Sequence, residues 1–286
     1  MHNSFLIRER LKETNNNKLH KKRRDPHRWV NRKSGVSPKD GEMMLNGSWE
    51  IVGDTRVDGI TEAIDDFRDF LVLMGVRLKS RAPNNIILEL TNEDCKNDGF
   101  SIRILDKEIK VIAGKVEYIW AGLVYLEKQM MLRHSPILKI GHFSRKPSWK
   151  VQISQAPYGS NYLVPDLSPD YLSDDAFRML VHSGINGMTI YGDWMCYVNS
   201  KKYPELNHPE YTRNISVLKD AVNRAKKFGV KLYYVPLSPK LAYDHPIFQR
   251  LPTVRGSRIA SGLKNDSKKI HCLCSSDPES LAIHSE

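Results

Sequence analysis

Residues 99–130 read GFSIRILDKEIKVIAGKVEYIWAGLVYLEKQM, and the pattern within them changes once. Phe100, Ile102 and Ile104 alternate with polar residues, and Ile109 and Val111 do the same after Asp106-Lys107. A period of two marks a strand with one buried face, so two such runs around a charged turn predict a hairpin. From Val116 the period lengthens: Val116, Ile119, Trp120, Leu123, Leu126 and Met130 recur at helical spacing. Gly122 inside that helix costs about 1 kcal/mol relative to alanine, which suggests a close approach between helix and sheet, local flexibility being the alternative. A hairpin covered by a helix is one half of an α+β layer.

Upstream the same layer continues. Trp49 to Val52 and Ile86 to Leu90 read as strands. Between them Ile60, Ala63, Ile64, Phe67, Phe70, Leu71 and Met74 form a helical stripe, and Gly75 stands where a helix stops. Residues 46–140 are therefore expected to form an α+β domain, a small sheet with two helices on it.

Downstream, Pro136 and Pro147 bracket a connector and the pattern changes to alternating strands and helices. Strands are expected at Trp149 to Ile153, Gly187 to Tyr191 and Val230 to Val235. One helix is capped by Ser173 with Asp174 and Asp175 in its first turn; a second carries Ile215, Leu218, Val222, Ala225 and Phe228. A strand roughly every 40 residues fits a (β/α)8 barrel of about 250 residues. Residues 141–286 have room for about three such units, an incomplete α/β barrel. Ser276-Asp277-Pro278-Glu279 reads as the start of a third barrel helix, with Ser276 as its cap.

Residues 1–45 hold 12 Lys/Arg against 5 Asp/Glu, a net of +7, while the remainder holds 32 against 28. They read as a basic, disordered leader that lacks a signal-peptide core, so a cytoplasmic location is expected. His20-Lys21-Lys22-Arg23-Arg24 could attract phosphates, but no aromatic-interleaved basic face supports a nucleic-acid partner. No run approaches 18 apolar residues, so no membrane partner is expected. The four cysteines, Cys95, Cys196, Cys272 and Cys274, lack both disulfide and zinc spacing, and no metal or other cofactor is expected.

With these elements in order, Gly99-Phe100-Ser101-Ile102-Arg103-Ile104, then Glu108 to Gly114 (EIKVIAG), then Trp120 to Glu127 (WAGLVYLE) resemble the non-catalytic N-terminal domain of family 20 glycoside hydrolases, the β-N-acetylhexosaminidases. There a G-Y-x-L-x-V strand, an I-x-I-x-A strand and an A-G-L-x-Y-G-x-x-T-L helix follow one another. The same domain type, zincin-like by fold only, precedes the barrel of bacterial α-glucuronidases. The resemblance implies a glycosidase acting on a carbohydrate substrate. In that family a glutamate is the general acid, and the aspartate before it orients the substrate acetamido group, which is the nucleophile. That pair follows the fourth barrel strand, and this chain is expected to stop before it. No catalytic residue is assigned, and the chain alone is expected to be inactive.

The resemblance places sugar contacts at Tyr191, Asp193 and Trp194, just past the second strand, where the family reads H-L-T-D-D-Q-G-W. Ligand contacts in barrels gather at the C-terminal ends of strands, and an indole stacks on a sugar face. The third strand, Tyr234-Val235-Pro236-Leu237-Ser238-Pro239, lacks the two acids of the family's P-E-I-D-x-P-G-H. Asp65-Asp66 and Asp174-Asp175 read as solvated or helix-start acids, and His182 as a surface or core residue of its helix. Two other classes stay open: a non-catalytic carbohydrate-binding or interaction module, and nucleic-acid binding through the leader.

Overall fold

The computed structural model describes residues 25–91, 98–154, 172–237, 239–259 and 270–285. These fall into two compact units. The first lies within Met1–Gly159, Pro169–Met188 and Ala221–Leu232, the second within Ser160–Ser168, Thr189–Asp220 and Tyr233–Glu286.

The first unit holds, in chain order, β1 (Glu42–Met44), β2 (Ser48–Gly53), α1 (Ile60–Leu73), β3 (Arg77–Leu78), β4 (Asn84–Leu90), β5 (Phe100–Leu105), β6 (Glu108–Ala113), α2 (Val116–Arg133), β7 (Ile137–Lys139) and β8 (Gly141–Arg145). Six strands form one sheet in the order β3-β2-β4-β6-β5-β8, and β1 pairs with β7 apart from it. The expected hairpin is present: Ile102 faces Val111, Ile104 faces Ile109, and Leu105 and Glu108 flank the turn. β2, β4 and β6 run parallel, so the connections between them cross over, and α1 is the crossover from β2. Both helices pack on the sheet and on each other. Their stripes are buried with Trp49, Ile86, Ile109 and Val111. Gly122 sits where a Cβ would come within 2.6 Å of Val111 Cγ1, which is the close approach implied by its place in the helix.

Two features stand beside the expectations from sequence. The sheet extends beyond residue 140, because β8 completes the open edge of β5 with Phe143 opposite Ile102. The leader expected over 1–45 is packed in its described part. Asp25 caps a 3-10 turn over Pro26–Trp29, His27 is buried, and β1 pairs with β7. These pieces are too short to show a period, which is why composition alone read them as disordered. Residues 1–24 lie outside the described residues.

After β8 come β9 (Ile153–Ser154), α3 (Asp174–His182), β10 (Gly187–Asp193), α4 (Tyr211–Lys227) and β11 (Lys231–Leu237). The three strands form a sheet in the order β11-β10-β9, with β9 and β10 parallel. Strand and helix alternate here as the sequence suggests. β9 starts later than expected, and Trp149 is 72% exposed. Ser173 Oγ accepts from Ala176 N at 3.3 Å and so caps α3. Trp120 Nε1 donates to the Lys227 carbonyl at 3.0 Å, which holds the end of α4 against α2 within the first unit.

The second unit adds β12 (Leu241–Ala242), α5 (Pro246–Arg250), β13 (Arg255–Ile259), β14 (Ile270–Leu273) and α6 (Pro278–Ser285). β12, β14 and β13 form a small antiparallel sheet. Tyr203, Leu206, Ile247, Phe248, Val254 and Ile283 make its core. α6 is capped by Asp277, not Ser276. Asp277 Oδ1 accepts from Glu279 N and Ser280 N at 3.0 and 3.1 Å, as suits an N-cap that directly precedes a first-turn proline. Among the described residues no helix is long and apolar enough to cross a membrane.

Candidate functional site

Tyr191 and Asp193 lie in the last three positions of β10, and Trp194 opens the 3-10 turn Trp194–Cys196 that follows. The polypeptide thus brings the three predicted residues to the C-terminal end of one strand. Trp194 is half-buried against the core of the second unit, and its ring meets His284 edge-on at 5.7 Å. Its indole Nε1 is buried with no hydrogen-bond partner among the described residues. A buried indole N–H ordinarily finds an acceptor. Of the third-strand motif, Tyr234 to Leu237 belong to β11 and Ser238 lies outside the described residues.

A second constellation lies inside the first unit. On α1, Asp66 is three residues after Ala63 and four before Phe70, so it occupies the apolar stripe, while Asp65 faces water beside Arg68. On α2, Glu127 stands four after Leu123 and three before Met130, again on the buried side. Both are all but inaccessible, at 5% and 2% exposed. α3 presents Arg178 and His182, one turn apart, to the same point. Arg178 Nε donates to Asp66 Oδ1 at 2.7 Å. His182 Nε2 lies 2.8 Å from Asp66 Oδ2 and its Nδ1 3.1 Å from Glu127 Oε2. From the 3-10 turn, His27 Nε2 comes within 3.7 Å of Asp66 Oδ2 and 3.5 Å of Glu127 Oε1.

The reading of Asp66 as solvated is therefore corrected, while His182 takes the core alternative. Burial disfavours the His182 cation. Hydrogen bonds to Asp66 and Glu127 and the charges of both carboxylates outweigh that and raise its pKa to about 9. Burial likewise opposes the Asp66 anion, but His182 and Arg178 hold its carboxyl below the usual aspartate value. Two anions and two cations then balance, which a buried charge requires. The signal for this cluster was in the sequence: acids at core positions of two amphipathic helices.

Among the described residues His27, Asp66, Glu127 and His182 form a group that could hold a metal ion, a possibility that the spacing of single residues on four separate segments does not reveal. Cys272 and Cys274 are free thiols of intermediate exposure.

No protein-family model matches the sequence, and no curated relative does. Solved structures do. A β-N-acetylhexosaminidase of family GH20 from Streptomyces coelicolor A3(2) is similar at 12% identity and a TM-score of 0.53, over 91% of this chain and 56% of that one. A GH138 enzyme targeting pectin rhamnogalacturonan II matches at 16% identity and a TM-score of 0.53, over 72% and 33%. The N-acetyl-β-hexosaminidase of Streptomyces plicatus matches at 13% identity and a TM-score of 0.51, over 87% and 53%. The chain spans between a third and a little over half of these proteins. Their shared architecture with this chain shows that it has a glycoside-hydrolase-like fold.

Proposed function

We propose that this chain belongs to a carbohydrate-active protein of the glycoside hydrolase type, related to the β-N-acetylhexosaminidases. In this reading an α+β domain over about 46–140 precedes the first strand–helix units of a (β/α)8 barrel over 141–286. A sugar ring is held at the end of β10 by Trp194, with Asp193 and Tyr191. The observation that carries the reading is the place of half-buried Trp194 directly past the C-terminal end of β10, in a fold whose solved neighbours are glycoside hydrolases. A sugar ring would stack on the accessible part of the indole face. Strand C-terminal ends are where barrel enzymes gather their ligand contacts.

Binding and hydrolysis separate in this chain. The family's chemistry needs an adjacent Asp-Glu pair, and the sequence contains no Asp-Glu dipeptide. The chain alone therefore binds sugar without turning it over. The test incubates it with a chromogenic N-acetylglucosaminide and, separately, measures saturation-transfer NMR with N-acetylglucosamine oligosaccharides. The expected result is transfer to the sugar, abolished in Trp194→Ala, retained in Trp149→Ala, and no aglycone release above a blank. Equal transfer in wild type and Trp194→Ala refutes the site.

A further inference from the structure

The buried cluster of the first unit plays no part in that sugar contact. We propose that it is a binding site for one divalent transition-metal ion of the zinc type, held by His27 Nε2, Asp66 Oδ2, Glu127 Oε1 and His182 Nε2. One ligand atom from each of the four residues falls in a group no wider than 4.8 Å.

Geometry, chemistry and unmet hydrogen bonding point the same way. Ligands of a tetrahedral ion with bonds of 2.0–2.1 Å stand about 3.3 Å apart. Here His27 Nε2 is 3.7 Å from Asp66 Oδ2 and 3.5 Å from Glu127 Oε1, and His182 Nε2 is 2.8 Å from Asp66 Oδ2. Shifts of a few tenths of an ångström bring these pairs to that spacing. His27 Nε2 and Glu127 Oε1 are both buried, face each other, and lack a hydrogen-bond partner among the described residues. A native interior rarely leaves two such groups unmet, and a cation between them satisfies both.

Two imidazoles and two carboxylates suit zinc. Calcium and magnesium take six or more ligands, mainly oxygens, and fit this set poorly. The surrounding contacts are those that orient metal ligands. His182 presents its other ring nitrogen to Glu127 Oε2 at 3.1 Å, and Asp66 Oδ1 is held by Arg178 at 2.7 Å. With four protein ligands in a buried place the site is closed and structural. It fastens the 3-10 turn that carries His27 to α1, α2 and α3. Without the ion, the His182 ring bridges the two carboxylates, Nε2 facing Asp66 and Nδ1 facing Glu127.

The test uses the full chain, stripped with EDTA and transferred to metal-free buffer. Zn²⁺ is titrated in competition with a chromophoric chelator, and Co²⁺ is titrated separately as a spectroscopic probe. We expect one equivalent of Zn²⁺ bound, retained in the Cys272→Ser/Cys274→Ser double variant, and at least about tenfold weaker in His27→Phe. His27→Phe keeps an aromatic ring against Phe70 and His182 and leaves the contacts among Asp66, Arg178, His182 and Glu127 in place. Bound Co²⁺ should show the visible bands of a four-coordinate site without thiolate charge transfer, a readout that holds even if the variant fails to fold. No stoichiometric Zn²⁺, or binding lost with the cysteines and untouched in His27→Phe, overturns the proposal. A Co²⁺ spectrum of octahedral or thiolate type overturns it as well.

Discussion

Replacing Asp66 by asparagine preserves the size and shape of the side chain and removes the anion at the centre of the buried network. Arg178 and His182 then lose the carboxylate that each meets at 2.7–2.8 Å. The size of the effect follows from His182. Its pKa stands at about 9 in the folded protein against 6.5 for an unperturbed histidine. That difference, at about 1.4 kcal/mol per unit, makes the folded-state pairing of its cation contribute about 3 kcal/mol, shared between Asp66 and Glu127. Removing one partner from a buried pair independently costs about 3–5 kcal/mol. The sign with pH is fixed by the direction of the shift. A raised histidine pKa stabilises the fold fully below 6.5, and the contribution fades as pH rises through 9. Urea unfolding followed by tryptophan fluorescence, with EDTA present throughout, should show Asp66→Asn less stable by about 3 kcal/mol at pH 6. The gap should narrow as pH passes 9, leaving the part due to Arg178. A variant within about 1 kcal/mol of wild type at pH 6, or a gap that does not change with pH, refutes the pairing of His182 with the two acids.

Gly122→Val places a side chain against Val111, where even a Cβ comes within 2.6 Å, and should lower stability by about 1–3 kcal/mol in the same unfolding assay. Ser173→Ala removes the cap of α3 and should cost about 1 kcal/mol, while Ser173→Asp restores it. Tyr203→Phe deletes the hydroxyl that donates to Glu279 Oε1 at 2.7 Å and should cost about 1 kcal/mol, read as a shift in the thermal midpoint. Stripping metal with EDTA should lower the thermal midpoint of the wild type and lower that of His27→Phe by less, as follows when an ion binds only the folded chain.

The first-unit sheet was legible because its strands alternate and its helices repeat over several turns. The pattern of Phe100 to Val111 leads directly to the register of β5 and β6, and the stripe from Ile60 to Leu71 to α1. β1, β3, β7 and β9 have two or three residues each, too few to show any period. Trp149 and Val151 looked like a strand by composition, yet they lie outside β9 and are exposed. The buried network was readable only in part. Asp66 and Glu127 occupy core positions of their helices, which a count of stripe positions reveals. His27 sits on a segment with no periodicity, and only the tertiary fold brings it to the acids. The placement of Tyr191, Asp193 and Trp194 came from a motif likeness at a strand end, and the free N–H of Trp194 is visible only in three dimensions.

The sugar contact is tested most directly at the side chain that carries it. The chain has five tryptophans, and the indole ¹H–¹⁵N signal of Trp194 is identified by its loss in Trp194→Phe. Titration with an N-acetylglucosamine oligosaccharide should move that signal saturably and leave those of the buried Trp49 and Trp120 in place. A saturable response confined to Trp149, or no response at any indole, would contradict a sugar site at the end of β10.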